Sequence, residues 1–128
     1  MANVPDDLRY TSDHEWARRA ADGVLEIGVT DYAQGELGDV VFVNLPKAGD
    51  RFEAHQAFGT IEAVKAVSDL FCPVAGEVVD INAGLDADPA SVNRAPYQDG
   101  WMIRIKPDDP AAYDGLMDPG AYRSHIGA

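Results

Sequence analysis

Lys65 is the residue whose setting invites chemistry. It stands within Phe58-Gly59-Thr60-Ile61-Glu62-Ala63-Val64-Lys65-Ala66-Val67-Ser68-Asp69, 16 residues after Gly49 and 11 before Gly76. Small or apolar residues flank it, and carboxylates stand nearby at Glu62 and Asp69. A lysine between two strand-like runs, with glycine punctuation on either side, fits the tip of a hairpin, where its amine is both exposed and held. Amines with an ordinary pKa of about 10.4 are poor nucleophiles at neutral pH. An acylating enzyme must therefore deprotonate the amine and bring an activated acyl group to it. A substrate lysine needs to protrude and be pre-positioned, and small neighbours at Ala63 and Ala66 let an enzyme close around it. Most lysines are only solvated surface, so the setting distinguishes this one. Glu62 and Asp69 are candidates for recognition by such an enzyme, or for holding a cationic group near the tip. The plainer reading is that they solvate the hairpin.

His14-Glu15-Trp16 is a second constellation. The plainer reading puts Trp16 in the core, as it does Trp101, with His14 and Glu15 capping a first hairpin. His14, His55 and His125 are too widely spaced for a compact metal motif. Cys72 is the only cysteine, which excludes an intrachain disulfide and a Cys-rich zinc site. Its apolar flanks read as an inert, buried thiol in a reducing compartment. No glycine-rich phosphate loop or catalytic triad is visible.

The elements that must position these residues are mostly strands. An irregular strand covers Arg9 to Arg18 and turns at Asp22-Gly23 into Val24 to Thr30. Asp31 is expected to cap a short helix, Tyr32 to Leu37, ending at Gly38. Strands follow at Asp39 to Leu45, Arg51 to Phe52, Ala57 to Val64, Val67 to Phe71 and Glu77 to Asn82. A capped helical turn is expected at Asp88 to Val92 with Pro89 in first position, then a strand from Gly100 to Lys106. The tail, about 109–126, reads as two short helices divided at Asp118-Pro119-Gly120. This pattern predicts one mostly β domain over 1–128: a small sandwich or flattened barrel with peripheral helices and core hairpins within about 24–82.

An ungapped repeat runs through it. Gly28–Asn44 matches Ala66–Asn82 at a constant offset of 38 residues, with Val, Asp, Gly, Val, Val and Asn in register. Two similar halves packed about a pseudo-twofold are the physical reading. Lys65 aligns with Ile27, so one half alone carries the amine.

With 128 residues, 46 % of them hydrophobic, the chain buries a core without disulfides or a structural metal. Its net charge of −12 repels phosphate backbones and anionic membranes and favours basic protein partners. No apolar run reaches bilayer length, and Met1 to Asp7 resembles neither a signal nor a transit peptide. A bacterial cytoplasmic location is expected. A mitochondrial protein stripped of its transit peptide would look the same.

Taken in order, His14-Glu15-Trp16, Gly28-Val29-Thr30-Asp31-Tyr32-Ala33-Gln34, Leu37-Gly38-Asp39-Val40-Val41-Phe42-Val43, Leu45-Pro46, Glu62 to Asp69, Pro73-Val74-Ala75-Gly76-Glu77-Val78, Val92-Asn93, Pro96-Tyr97, Gly100-Trp101 and Ala121-Tyr122 resemble the H proteins of the glycine cleavage system. Nearly the whole chain is covered. The resemblance implies a flattened β-barrel of the lipoyl/biotinyl type with quasi-twofold halves, and lipoate in amide linkage on Lys65. It implies a monomeric, non-catalytic carrier in glycine catabolism and one-carbon metabolism. Such a carrier takes an aminomethyl group from a pyridoxal-phosphate glycine decarboxylase to a tetrahydrofolate-dependent aminomethyltransferase, and is reoxidised by dihydrolipoyl dehydrogenase. A lipoate ligase or an octanoyltransferase would load it. Glu62 and Asp69 would serve lipoylation or arm contact, and Glu15 would lie near the resting arm. The family often has Ser at position 63 and a small residue at position 72. A lipoyl relay passing lipoate to other enzymes remains an alternative. A biotinyl carrier usually has Met on both sides of the lysine, where Val64 and Ala66 stand here. A Schiff-base enzyme needs a desolvated amine, and neighbouring carboxylates favour the ammonium.

Overall fold

A computed structural model describes residues 3–127. Nine strands form two sheets. They are β1 (Arg9–Tyr10), β2 (Glu15–Arg19), β3 (Leu25–Val29), β4 (Val40–Asn44), β5 (Arg51–Phe52), β6 (Ala57–Ala63), β7 (Val67–Phe71), β8 (Gly76–Ile81) and β9 (Ile103–Pro107). The larger sheet has the order β1-β2-β3-β9-β8-β5, and the smaller has β4-β6-β7. All neighbours are antiparallel. The sheets are not closed into a barrel; the arrangement is sandwich-like. The single strand expected over Arg9 to Arg18 is instead β1 and β2, folded back on each other by a turn at Thr11–His14 where the His14 N–H meets the Thr11 carbonyl.

Alternation along the strands makes the core. Leu25, Ile27, Val43, Ile61, Leu70, Val78, Ile103 and Ile105 are buried together between the sheets. A second cluster joins the two ends of the chain, where Tyr10 stacks on Tyr122 with ring centroids 4.6 Å apart. Trp16 belongs to it, fully buried as expected, and donates its indole N–H to the Pro96 carbonyl at 2.9 Å. Trp101 is only partly covered, its ring lying beneath the Arg104 guanidinium at 4.0 Å. Outward residues of the larger sheet are matched across strands: Arg18 pairs with Glu26, and Arg104 with both Glu26 and Asp80.

Four helices lie at the periphery: α1 (Asp31–Leu37), α2 (Gly84–Ala87), α3 (Ser91–Arg94) and α4 (Pro119–Ile126). A 3-10 segment spans Pro110–Gly115. The cap of α1 is Thr30, not Asp31. The Thr30 hydroxyl accepts the Ala33 N–H at 3.2 Å, while Asp31 sits inside the first turn and takes the Gln34 amide at 2.8 Å. The turn expected at Asp88–Val92 forms, with the Ser91 N–H on the Asp88 carbonyl and the Val92 N–H on that of Pro89, and runs on into α3; the Asp88 side chain takes the Ser91 hydroxyl and Arg94 and does not cap a backbone N–H. Asp118-Pro119 starts α4: the Asp118 carboxylate accepts the Ala121 N–H at 2.8 Å.

The repeat has a structural counterpart in its second half. β4 carries a bulge between Val40 and Phe42, and β8 carries one between Val78 and Asp80, 38 residues on and in the other sheet. Its first half diverges. Thr30 caps a helix in one copy, whereas in the other Leu70 and Phe71 pair with β6 and Pro73 bars a helix.

Candidate functional site

The hairpin β6–β7 presents Lys65. Ala63 N–H donates to the Ala66 carbonyl at 2.7 Å, leaving Val64 and Lys65 as a two-residue tip. Neither enters the left-handed region, which three other non-glycine residues occupy. Both tip residues are exposed. The tip is fastened sideways, because Val64 N–H donates to the Asp39 carbonyl at 3.0 Å. Asn93 fixes that attachment in turn. Its amide donates to the Gly38 carbonyl at 2.8 Å and to Gln34 at 3.0 Å, and its oxygen accepts the Val40 N–H at 2.9 Å.

Gly49 and Gly76, whose spacing drew attention to Lys65, serve other turns. Gly49 N–H bonds to the Val78 carbonyl, and Gly76 opens β8 against Lys106. The glycine that meets Lys65 is Gly38, at φ +83° and ψ −155°, a region open essentially to glycine alone. A methyl built there would stand 3.1 Å from Lys65 Cε. The lysine stem therefore crosses the C-terminal end of α1, where the helix dipole favours a cation.

That same end of α1 forms one wall of a cleft of about 350 Å³. Tyr32, Ala33, Glu36 and Leu37 line it from α1, Ile61 and Ser68 to Leu70 from the hairpin, and Asp13 to Glu15 from the start of β2. Thus the structure brings Lys65, Asp69 and Glu15 to one region. Glu15 is 2 % exposed; it lines the cleft and also closes the turn between β1 and β2 through Thr11. Burial pushes its carboxyl up to about 8, while a 2.8 Å bond from the Thr11 hydroxyl and a longer one from the Phe71 N–H pull it down. His14, at φ +69°, forms another part of the wall. Its Nδ1 meets the Tyr122 hydroxyl at 2.9 Å, which also meets the Thr30 hydroxyl at 2.7 Å. Burial, and then His125, lowers the His14 pKa, against Asp13 and Glu36, which raise it.

Glu62 lies elsewhere. Register places Phe42, Glu62 and Val67 in one row, and Asn44, Thr60 and Asp69 in the next, on the outer face of the smaller sheet; Asp69, on the edge strand β7, borders both this face and the cleft. Cys72 is fully buried, donates to the Val74 carbonyl, and has its thiol pushed up to about 12 by burial. Among the described residues no group of three metal-ligating side chains exists.

Sequence reasoning placed Gly38 at the end of α1, as found, but missed its contact with Lys65 and the parts played by Asn93, Thr11 and the α1 wall. Helix α1 was legible, but the segment it faces lies some thirty residues away.

Comparison with known proteins matches residues 8–127 to the family model described as glycine cleavage H-protein. The chain is 54 % identical over 126 residues to a glycine cleavage system H protein of Chlorobium limicola, covering 98 % of each. It is 50 % identical over 127 residues to the one from Opitutus terrae, covering 99 % of this chain and all of that one. The crystal structure of a glycine cleavage system H protein from Mycobacterium marinum superposes with a TM-score of 0.90 at 36 % identity, covering 98 % and 100 % of the two chains. The chain belongs to the glycine cleavage H-protein family.

Proposed function

We propose that Lys65 carries lipoate in amide linkage. On this reading the chain conveys the aminomethyl group from glycine decarboxylase to the aminomethyltransferase, and dihydrolipoyl dehydrogenase reoxidises it. When attached, the group supplies a tethered disulfide/dithiol pair, and tethering raises its effective concentration at each docked enzyme.

The observation that carries this is the pairing of an exposed amine on a pinned two-residue tip with a cleft that begins beside it and contains a buried carboxylate. The residues fit such a group. Lys65 is open to an acylating enzyme. Leu37, Ile61, Leu70 and Val29 give the cleft apolar walls. Glu15 offers an acceptor for a cationic amine, and Asp69 stands at the cleft edge. The chain's own part is to hold the amine out, shelter a tether against α1 and oppose charge to charge.

Intact mass of protein from lipoate-replete cells tests it. A lipoyl increment that localises to position 65 and vanishes in Lys65→Arg is expected, and a biotin increment or an unmodified lysine rejects it. Glycine–bicarbonate exchange with the decarboxylase separates the shuttle from a relay role, since a relay protein would be loaded yet inactive there.

A further inference from the structure

The outer face of the β4-β6-β7 sheet is the least explained surface of the molecule. Phe42, Val64 and Val67 are 47 %, 75 % and 67 % exposed. Phe42, Glu62 and Val67 share one cross-strand row, and Val64 lies at the tip beyond it. Contiguous exposed apolar side chains on a soluble domain mark contact surfaces. No element of the described chain covers them.

Charge says what the occupant is. On the larger sheet, acidic side chains are matched by arginines: Glu26 and Asp80 with Arg104, Glu77 and Asp108 with Arg51. Around the apolar row the pattern reverses. Glu62 and Asp69 on the face, and Asp39 and Glu36 beside the tip, make no ion pair among the described residues. Lys65 is the only Lys or Arg between Phe52 and Gly76. Acylation of its amine would remove that charge too. An apolar centre with unmatched carboxylates at its edge complements a protein surface with an apolar seat inside a Lys/Arg rim.

Resting on the carrier reading, we infer that this face docks the glycine decarboxylase as it takes in the Lys65 arm. That enzyme meets Phe42, Val64 and Val67 with apolar side chains, and Glu62 and Asp69 with basic ones. The mouth of its active site lies over the hairpin tip, so docking and arm entry share one surface. The docked enzyme thus receives the arm from the outer side, away from the cleft.

Direct titration with the purified glycine decarboxylase tests this, using loaded and unloaded carrier. The variants are Glu62→Lys with Asp69→Lys, Phe42→Ala, and the control pair Asp7→Lys with Asp99→Lys, which changes net charge equally at distant exposed sites. The charge reversal should weaken binding at least about tenfold at about 10 mM salt, with the difference collapsing near 1 M. Phe42→Ala should weaken it about fivefold at both salts. Wild-type affinity in both face variants, or equal loss in the control pair, overturns the proposal. Self-association of the isolated carrier that Phe42→Ala abolishes would assign the face to a second copy and also overturn it. Intact mass of the same samples reports Lys65 loading separately. An unmodified lysine in the wild-type protein rejects the carrier reading itself, whereas a loaded carrier with unaltered affinities rejects only the docking face.

Discussion

Replacing Glu15 by Gln should stabilise this protein, and by an amount that depends on pH. Glu15 is almost fully buried, and its carboxyl is raised from the ordinary 4.5 to about 8, mainly by burial. Below about pH 4.5 the group is protonated in folded and unfolded chains alike and contributes no penalty. Between there and about 8 the unfolded chain releases the proton while the folded chain keeps it. The folded state then binds more protons, so stability falls as pH rises through this window. Above about 8 both states are ionised and the full cost persists. At about 1.4 kcal/mol per pH unit, that cost is on the order of 3–5 kcal/mol. Gln keeps the size and the acceptor for the Thr11 hydroxyl but never ionises. Urea unfolding of both proteins from pH 4.5 to 9 reads the effect, and the difference between them cancels every other titrating group. The two should be similar at the acid end, and the variant should lead by several kcal/mol at pH 8.5. A difference that does not change with pH refutes the reasoning.

Other expectations follow from the tip and its supports. Gly38→Ala should cost about 1–3 kcal/mol in urea unfolding, because only glycine suits that backbone and the methyl meets Lys65 Cε. Gly35→Ala, inside α1 with nothing within 4 Å, should instead gain about 0.5–1 kcal/mol. Asn93→Ala should lose about 2–3 kcal/mol, since it strands the Val40 N–H and frees the Gly38 carbonyl; hydrogen exchange at Val40 should speed up. Cys72 should resist a maleimide at pH 8 in the folded protein and react on unfolding, as its burial and raised pKa require.

Much of the scaffold was legible because its signals are local. Alternation in Leu25–Val29 and Ile103–Pro107, the Pro-Gly turns and the Asp-Pro start of α4 each act within a few residues. The 38-residue repeat pointed to something physical, since Val41 and Val79 occupy matching bulges in different sheets. It did not foretell that Tyr32 to Leu37 would coil while Leu70 to Ala75 would not, because Pro73 and pairing with β6 act on one copy alone. The cleft was not legible at all. Its walls come from 13–15, 29–37 and 61–70, and no period connects them. Glu15 was accordingly assigned to a hairpin cap by pattern and to the arm by resemblance; its buried carboxylate accepts the Thr11 hydroxyl across the β1–β2 turn and also lines the cleft. Gly49 and Gly76 were plausible punctuation for Lys65 by spacing, yet the contact belongs to Gly38, brought there by Asn93 from far along the chain.

On the proposed reading, in which the cleft receives a cationic amine, the stability cost at Glu15 and that hold are two faces of one free energy. A carboxyl kept protonated by burial is a poor partner for an ammonium until it releases its proton. With a pKa of about 8, that release costs about 1.4 kcal/mol at pH 7. The Coulomb attraction in a low-dielectric cleft must exceed this before any net hold remains. The hold is thereby tempered rather than maximal, which suits a carrier that must give up what it shelters. A fully ionised, solvated carboxylate would need no proton release but would be screened by water. A carboxylate locked in an ion pair, like Glu26 between Arg18 and Arg104, would have no charge to offer. Glu15 has no cationic partner among the described residues and borders open space, so its destabilising burial is what leaves it available.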